Sequence, residues 1–241
     1  MTSMLAFFFT SSRATKHKSH LKRAIENNFD NSSRRNWLQV ICNGGVAVQF
    51  ALIHMLERGI AEESSINFKR DYSASWFAMS VMGSIACCNG DTWASELGLV
   101  FARGDPVLIT TLQKVPRGTN GGVTLIGLVL SALGGLVIGL IYYMTLLLCI
   151  SRDVLAISPE QWPIIFIGLL SGLLGSIIDS ILGATLQYSG IDRRTGKLVE
   201  SPGEDVEWIS GIPLLDNHSV NLLSSLAMAL ITPRISQAFW S

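Results

Sequence analysis

The sequence predicts an all-α integral membrane protein, a polytopic bundle of about five spanning helices preceded by a short apolar segment. Two observations support this fold class. First, five stretches contain no formally charged residue and are long enough to cross a bilayer, which takes roughly 20 mostly apolar residues. Second, 49% of the 241 residues are hydrophobic and only 15% are charged, whereas a soluble domain is about 25% charged. The whole chain, residues 1–241, is therefore predicted to form a single transmembrane domain.

The predicted elements follow one another along the chain. An apolar segment over residues 4–9 comes first, with the character of the end of a hydrophobic segment whose beginning is missing, and a basic loop over residues 13–35 follows it. The membrane segments are expected at 36–57, 72–90, 118–151, 161–188 and 217–238. Because 118–151 is longer than one span requires, its start is expected either as a short re-entrant turn or as part of a tilted helix.

The distribution of basic residues predicts the orientation. If the 13–35 loop is cytosolic, most of the 18 lysines and arginines lie on the cytosolic side, as the positive-inside rule requires. Some charge-free stretches are close to the minimum length for a span, which suits the thinner bilayer of the endoplasmic reticulum. An endomembrane location is therefore expected rather than the plasma membrane or a plastid.

Cysteine usage bears on the kind of site, whereas net charge does not bear on partners. The formal net charge is zero, so it indicates no class of partner, and no nucleic-acid partner is expected for this membrane protein. The four cysteines lie in apolar stretches without zinc-site spacing, so they are interpreted as small hydrophobic residues. They are Cys42, Cys87, Cys88 and Cys149.

An acidic motif follows the second predicted span. It runs from Asn89 to Gly98 and contains two carboxylates and two hydroxyls. On a helix, Asp91 and Ser95 share a face, while Glu96 lies on the adjoining edge. These oxygen ligands suit Mg²⁺. The alternative is that Asn89 or Asp91 caps a helix that begins at Thr92, although capping leaves Glu96 unexplained.

Two further acidic positions lie in the second half of the chain. Asp179 lies inside the 161–188 segment, where an unpaired carboxylate is costly, so it should face a cavity, a metal or a partner. Asp216 and Asn217 open the last segment, with Asn221 one helical turn further on. These residues either bind a ligand or cap the helix and hydrogen-bond to its neighbours.

Two Asn-Gly-Gly triplets and one lysine are candidate phosphate-binding groups. Glycine allows a backbone to approach an anion closely, and free N–H groups at a helix start bind phosphate. The candidates are Asn43, Gly44, Gly45, Lys114, Asn120, Gly121 and Gly122. The triplets are equally consistent with simple turns, and the lysine with a charge that sets membrane orientation. Each triplet precedes a segment with an Asp-hydroxyl pair. This repeated arrangement is explained either by duplication of a two-helix unit or by chance.

Most of these groups fall near the cytosolic surface in the predicted topology. Asp91, Asp179 and Asp216 are accordingly candidate ligands of one or two Mg²⁺ ions, with Glu96 as a further catalytic carboxylate. Clustered carboxylates, glycine turns and a few basic residues are typical of metal-assisted phosphoryl transfer. The nucleotide would come from the aqueous side and the acceptor from the lipid bilayer.

The same motifs closely resemble those of the transmembrane protein 19 family. They are the segments 90–96, 118–124, 175–180 and 215–217, with Asn221, and the resemblance extends from about Phe7 to Trp240. That family is similar to plastid phytyl-phosphate kinases, which convert a prenyl monophosphate to its diphosphate with a nucleoside triphosphate. The resemblance implies a multi-helix fold and carries roles over to Asp91, Glu96, Asn120, Gly121, Gly122, Asp179, Asp216 and Asn217. Relatives usually have further apolar helices before Phe7, so this chain departs from them there.

Three functions follow as hypotheses. The first is a lipid kinase that transfers a phosphoryl group from CTP or ATP to a prenyl phosphate, with Mg²⁺ as the cofactor. The second is a secondary transporter in which Asp179 binds a cation or a proton. The third is a non-catalytic membrane protein of the same family.

Overall fold

The computed structural model describes residues 1–17, 37–59 and 64–240. These ranges contain seven helices and five short strands. The helices are α1 (Thr2–Lys16), α2 (Trp37–Arg58), α3 (Tyr72–Phe101), α4 (Leu125–Cys149), α5 (Arg152–Ala156), α6 (Pro163–Leu186) and α7 (Asn217–Trp240). The strands are β1 (Val107–Leu108), β2 (Gly122–Val123), β3 (Ser189–Asp192), β4 (Leu198–Val199) and β5 (Val206–Ser210). Most of the predicted basic loop lies outside the described residues, and its first residues belong to the end of α1.

The helical membrane fold is confirmed. Among the described residues, four helices are long and apolar enough to cross a membrane, namely α2, α4, α6 and α7. The most apolar are α4 and α6, with mean hydropathies of 2.4 and 2.1 over their best windows. Local signals set where they begin: the Thr124 hydroxyl caps α4 by accepting from the Gly127 N–H at 3.0 Å, and Pro163 stands at the first position of α6.

The remaining long helix, α3, runs through the centre of the bundle. It packs against α1, α2, α4, α6 and α7. It extends over 30 residues, so the helix predicted at 72–90 continues to Phe101 without a break. Met79, Met82 and Ala86 are completely buried. Because α3 is surrounded by protein rather than by lipid, it can carry polar side chains that a lipid-facing helix could not.

Glycines bring α3, α4 and α6 into backbone contact. A Cβ atom added to Gly90 would lie 2.8 Å from the Gly172 Cα atom and 2.8 Å from the Ser131 carbonyl oxygen. A Cβ on Gly135 would lie 2.8 Å from the Gly172 Cα atom. Small residues at helix crossings permit this close packing in membranes. The three-helix junction therefore lies immediately beside Asp91.

Short strands cover one end of the bundle. β1 and β2 form an antiparallel hairpin, and β4, β3 and β5 form an antiparallel sheet in that order. They lie where α3 and α6 end and where α4 and α7 begin. The membrane segment predicted at 118–151 therefore begins with a turn and a strand, and its helix starts only at Leu125.

Side-chain hydrogen bonds hold the opposite end together. The Gln161 side chain accepts from the Ile66 N–H at 2.9 Å and donates to the Ile66 carbonyl at 3.0 Å. The Trp240 indole donates to the Glu160 carbonyl at 2.8 Å. An ion pair joins Arg58 at the end of α2 to Asp71 at the start of α3. These contacts tie the loop after α5 to the segment before α3 and to the end of α7, and they tie the end of α2 to the start of α3.

Candidate functional site

Two carboxylates lie along one face of α6, one from α3 and one from α6 itself. Asp91, from the middle of α3, accepts a hydrogen bond from the Ser176 hydroxyl at 3.2 Å. Asp179 lies one turn further along α6 and accepts from the Ser224 hydroxyl of α7 at 2.9 Å. Because Ser176 and Asp179 are three residues apart on α6, the two carboxylates lie on adjacent turns of the same helix face. Both are half-buried.

The capping interpretation of the acidic motif is wrong. α3 is continuous from Tyr72 to Phe101, so neither Asn89 nor Asp91 starts a helix. Asn89 is instead completely buried: its amide donates to the Gly134 carbonyl at 2.8 Å and accepts from the Thr10 hydroxyl at 2.8 Å. Asn89 thus joins α1, α3 and α4. The side chain of Asp91 is left to face α6.

A polar stripe on α7 leads toward Asp179. Asn217, Asn221 and Ser224 are spaced four and then three residues apart, so they share one face of the helix. The stripe begins at the strand-covered end of the bundle and finishes at the Ser224–Asp179 hydrogen bond. The structure therefore brings two of the predicted phosphate-binding residues onto the helix face that contacts a predicted catalytic carboxylate.

Asp216 has a different role from the one predicted. Its side chain accepts from the Ser219 N–H at 2.8 Å, which caps the start of α7. Hydrogen bonds from Ser219 hold the pKa of Asp216 below its ordinary value. Asp216 lies about 12 Å from Ser224 along the axis of α7, at 1.5 Å per residue. It is exposed, whereas the other two aspartates lie inside the bundle.

The predicted three-carboxylate metal cluster does not form in the described part of the chain. No group of three or more His, Cys, Asp or Glu side chains is arranged there to hold a metal ion. Asp91 and Asp179 come together because α3 and α7 pack on the same side of α6, whereas Asp216 is kept at the surface by its capping bond. The candidate metal-binding groups are thus reduced to one pair of carboxylates.

The first Asn-Gly-Gly triplet lies inside a helix and not before one. Residues 43–45 are in α2, beyond its first turn, so their N–H groups take part in the helical hydrogen bonds and cannot bind phosphate as a helix start does. The Asn43 carbonyl accepts from the Cys88 thiol at 3.2 Å. A Cβ on Gly44 would lie 3.2 Å from the Met4 Cε atom. The triplet therefore serves contacts with α3 and α1.

The second triplet forms the predicted turn. Gly121 has φ +77°, and a Cβ there would lie 2.3 Å from the Ala184 Cβ atom and 2.6 Å from the Ser180 carbonyl oxygen. The Asn120 side chain donates to the Tyr188 carbonyl at 3.2 Å. The turn therefore rests on α6, close to Asp179. The two triplets differ in structure, which argues against a duplicated unit at these positions.

The remaining candidates lie toward the strand-covered end. Lys114 is exposed and bridges to Val107 beside the hairpin. Glu96 is half-buried and lies about 7.5 Å beyond Asp91 along α3, at 1.5 Å per residue. Both therefore lie on the strand side of Asp91.

Sequence reasoning did not single out the two serines that bind the carboxylates. Ser176 belongs to the motif over residues 175–180, and its position three residues before Asp179 was the signal that could have identified it. Ser224 continues the spacing of Asn217 and Asn221 by one more turn. Neither serine could be assigned to a particular carboxylate without the helix packing.

Comparisons with known proteins place the chain in a family. The family described as "Integral membrane protein DUF92" matches residues 1–229. The chain is 40% identical over 231 residues to Protein PGR of Arabidopsis thaliana, covering 95% of this chain and 78% of that protein. It is 28% identical over 157 residues to an uncharacterized membrane protein of Methanocaldococcus jannaschii, covering 65% and 53%. No solved structure matches it. The extent of these matches shows that the chain belongs to the DUF92 family of integral membrane proteins.

Proposed function

We propose that this protein is a membrane-embedded kinase that transfers a phosphoryl group from a nucleoside triphosphate to a prenyl phosphate. The observation that carries the proposal is the Asp91–Asp179 pair, held by Ser176 and Ser224 at a helix junction inside the bundle. Two neighbouring carboxylates at membrane depth are costly unless they bind a cation or a proton. A divalent metal ion carrying phosphates offsets their charge.

The two carboxylates fit Mg²⁺. In each of them one oxygen accepts a serine hydroxyl, which leaves further lone pairs for a metal ion. Mg²⁺ is commonly bound by one or two carboxylates and completes its shell with waters and substrate phosphates, so a third protein carboxylate is not required. Asp91 and Asp179 would hold the ion, which when bound would supply positive charge to neutralise the charge that develops on the phosphates.

The protein's own residues would orient the substrates. Ser176 and Ser224 fix the direction of the carboxylates, and the amides of Asn217 and Asn221 offer hydrogen bonds to phosphate along the path to Asp179. Lys114 would supply positive charge at the strand-covered end of the bundle. A prenyl phosphate is already anionic, so its attacking oxygen needs no general base. Transfer then depends on positioning and charge, as phosphoryl transfer generally does.

Three further lines support the proposal. Asp91 and Asp179 belong to the motifs through which the chain resembles the transmembrane protein 19 family and, through it, plastid phytyl-phosphate kinases. The polar stripe on α7 opens at the end expected to face the cytosol, where CTP or ATP is available. An endoplasmic reticulum membrane, as the span lengths suggest, would supply the prenyl acceptor.

A transfer assay tests the proposal. The purified protein in nanodiscs is given Mg²⁺, radiolabelled CTP or ATP and a panel of prenyl monophosphates. Labelled prenyl diphosphate is expected from the wild type and is expected to disappear with Asp91→Asn. Asp153→Asn is the control and should leave transfer unchanged, because Asp153 is an exposed residue on α5 at the other end of the bundle. Near-normal turnover by folded Asp91→Asn would refute the catalytic role of the pair.

A secondary transporter is the second candidate. The observation that favours it is that Asp179 and Ser224 lie within α6 and α7, both of which are long and apolar enough to span the membrane. Transporters place cation sites at such positions. Ion-dependent flux into liposomes without nucleotide consumption, lost in Asp179→Asn, would favour transport over phosphoryl transfer.

A further inference from the structure

A partly open cavity lies away from the carboxylate pair. It has a volume of about 380 Å³ and is bordered by the first turn of α1, the second half of α2, the middle of α3 and the end of α4. Its walls are mainly aliphatic, and Leu52, Val81, Ile85 and Leu146 are among the residues that line it.

Two helices that are apolar enough to span the membrane form much of the cavity wall. α2 and α4 are both long and apolar enough to span the membrane, and each contributes several lining residues. Ile85 lies about 9 Å from Asp91 along the axis of α3, at 1.5 Å per residue. The cavity thus lies on the side of the carboxylate pair away from the strands and extends to the end of α4.

The cavity is large enough for part of a lipid chain. An engineered apolar cavity of about 150 Å³ binds benzene and excludes water. By that measure this cavity has room for a chain on the order of a dozen carbon atoms. Ligand pockets in proteins begin at about 300 Å³.

A polar group lies near the end of the cavity that faces the carboxylates. Asn43 is one turn before Ala47, which lines the cavity, and its backbone carbonyl accepts the Cys88 thiol. The Asn43 side-chain oxygen is buried and has no hydrogen-bond partner among the described residues. A buried amide without a partner is costly, and a ligand with a polar end would relieve that cost. An unpartnered amide oxygen therefore lies between the cavity and the turn of α3 that leads to Asp91.

We propose that this cavity binds the hydrocarbon chain of the lipid phosphate on which the Asp91–Asp179 site acts, with the phosphate end toward Asp91. This inference rests on the proposed function and deepens it, because it assigns the acceptor's chain to a specific cavity. The occupant is a single hydrocarbon chain, since the walls offer mainly aliphatic contacts along their length. The volume of the cavity then limits how much of the acceptor's chain is held.

Two neighbouring residues provide a matched test. Leu52 and Ile53 are similarly exposed, at 48% and 46%, but only Leu52 lines the cavity. Binding of prenyl monophosphates of graded chain length is measured in nanodiscs without nucleotide, so that no turnover occurs. Affinity should rise with chain length in the wild type and in Ile53→Trp. Leu52→Trp should lose at least about tenfold in affinity for the longer chains, because two buried methylenes account for that factor, and should keep the affinity for the shortest chain.

The outcomes separate this inference from the kinase proposal. If Leu52→Trp abolishes chain-length-dependent binding but the protein transfers no phosphate, the cavity binds the lipid chain and the kinase proposal is wrong. If both variants transfer phosphate with the same chain-length profile, the cavity does not bind the acceptor's chain and the kinase proposal stands. Binding that does not depend on chain length would mean that ordinary bilayer lipid fills the space, and would overturn the inference. Ala51→Leu, a smaller enlargement on the cavity wall, replaces Leu52→Trp if that variant does not fold.

Discussion

The Ser224 hydroxyl donates a hydrogen bond to the Asp179 carboxylate across the α6–α7 interface, with 2.9 Å between the oxygens. It mirrors the 3.2 Å bond from Ser176 to Asp91 across the α3–α6 interface. In both cases a serine on one helix sets the direction of a carboxylate on its neighbour. The position of the carboxylate pair therefore depends on how α3, α6 and α7 pack.

Replacing Ser224 by alanine should weaken activity without destroying the fold. A hydrogen bond to a charged group contributes about 1.5–3 kcal/mol, so kcat should fall by roughly ten- to a hundredfold while Asp179→Asn abolishes turnover. Steady-state phosphate transfer by the purified variant provides the measurement. Ser225→Ala is the control, because the Ser225 hydroxyl donates only to the Leu222 carbonyl of its own helix at 2.9 Å. Equal losses in both serine variants would show that Ser224 acts through the fold alone.

Gly90→Ala should destabilise the bundle. The added Cβ would lie 2.8 Å from the Gly172 Cα atom, so α3 and α6 would have to separate. Forcing extra volume into a packed interface costs about 1–3 kcal/mol, which should lower the midpoint of thermal unfolding in detergent. Gly45→Ala is the matched control, because its nearest neighbour would be the Ile41 Cγ2 atom at 3.7 Å and alanine favours the helix. A Gly90→Ala protein as stable as Gly45→Ala would contradict the close contact.

Gly121→Ala should disturb the turn that rests on α6. Gly121 has a left-handed φ of +77°, and an added Cβ would lie 2.3 Å from the Ala184 Cβ atom. Gly196→Ala is the control, because Gly196 has φ +68° but nothing lies within 4 Å of its Cβ position. Both alanine variants carry the backbone strain, but only Gly121→Ala pushes against α6 near Asp179. Thermal midpoint and turnover should therefore fall further in Gly121→Ala. Similar losses in the two variants would assign the whole effect to the backbone.

The Asp216 cap should give an acid-dependent contribution to stability. Hydrogen bonds from Ser219 lower its pKa in the folded protein. A carboxylate with a lowered folded pKa stabilises the fold above its unfolded pKa of about 3.9 and loses that contribution as the pH falls through the folded pKa. Asp216→Asn keeps a capping oxygen but does not titrate. The stability difference between wild type and variant, followed by denaturant unfolding, should shrink below about pH 4, and a constant difference would argue against the cap.

Part of the candidate site could be predicted from single residues. Asp91 and Asp179 are charged residues at the edge of or inside apolar stretches, and that context alone marks them as functional or paired. The triplet at Asn120 was recognisable as a turn because a helix-forming apolar run begins immediately after it. The same residue types at Asn43 were misleading, since a membrane helix accommodates Gly-Gly where another helix packs closely against it.

The sequence by itself determined that the chain is a helical membrane protein, because hydrophobicity and charge act residue by residue and need no knowledge of neighbours. It also determined which carboxylates would be costly to leave alone. Only the tertiary structure decided that Asp91 meets Asp179 through Ser176 and Ser224, that Asp216 remains at the surface as a cap, and that an apolar cavity lies between α1, α2, α3 and α4. The physical reason is that these contacts depend on the rotation and crossing of whole helices, which backbone contacts such as that between Gly90 and Gly172 establish.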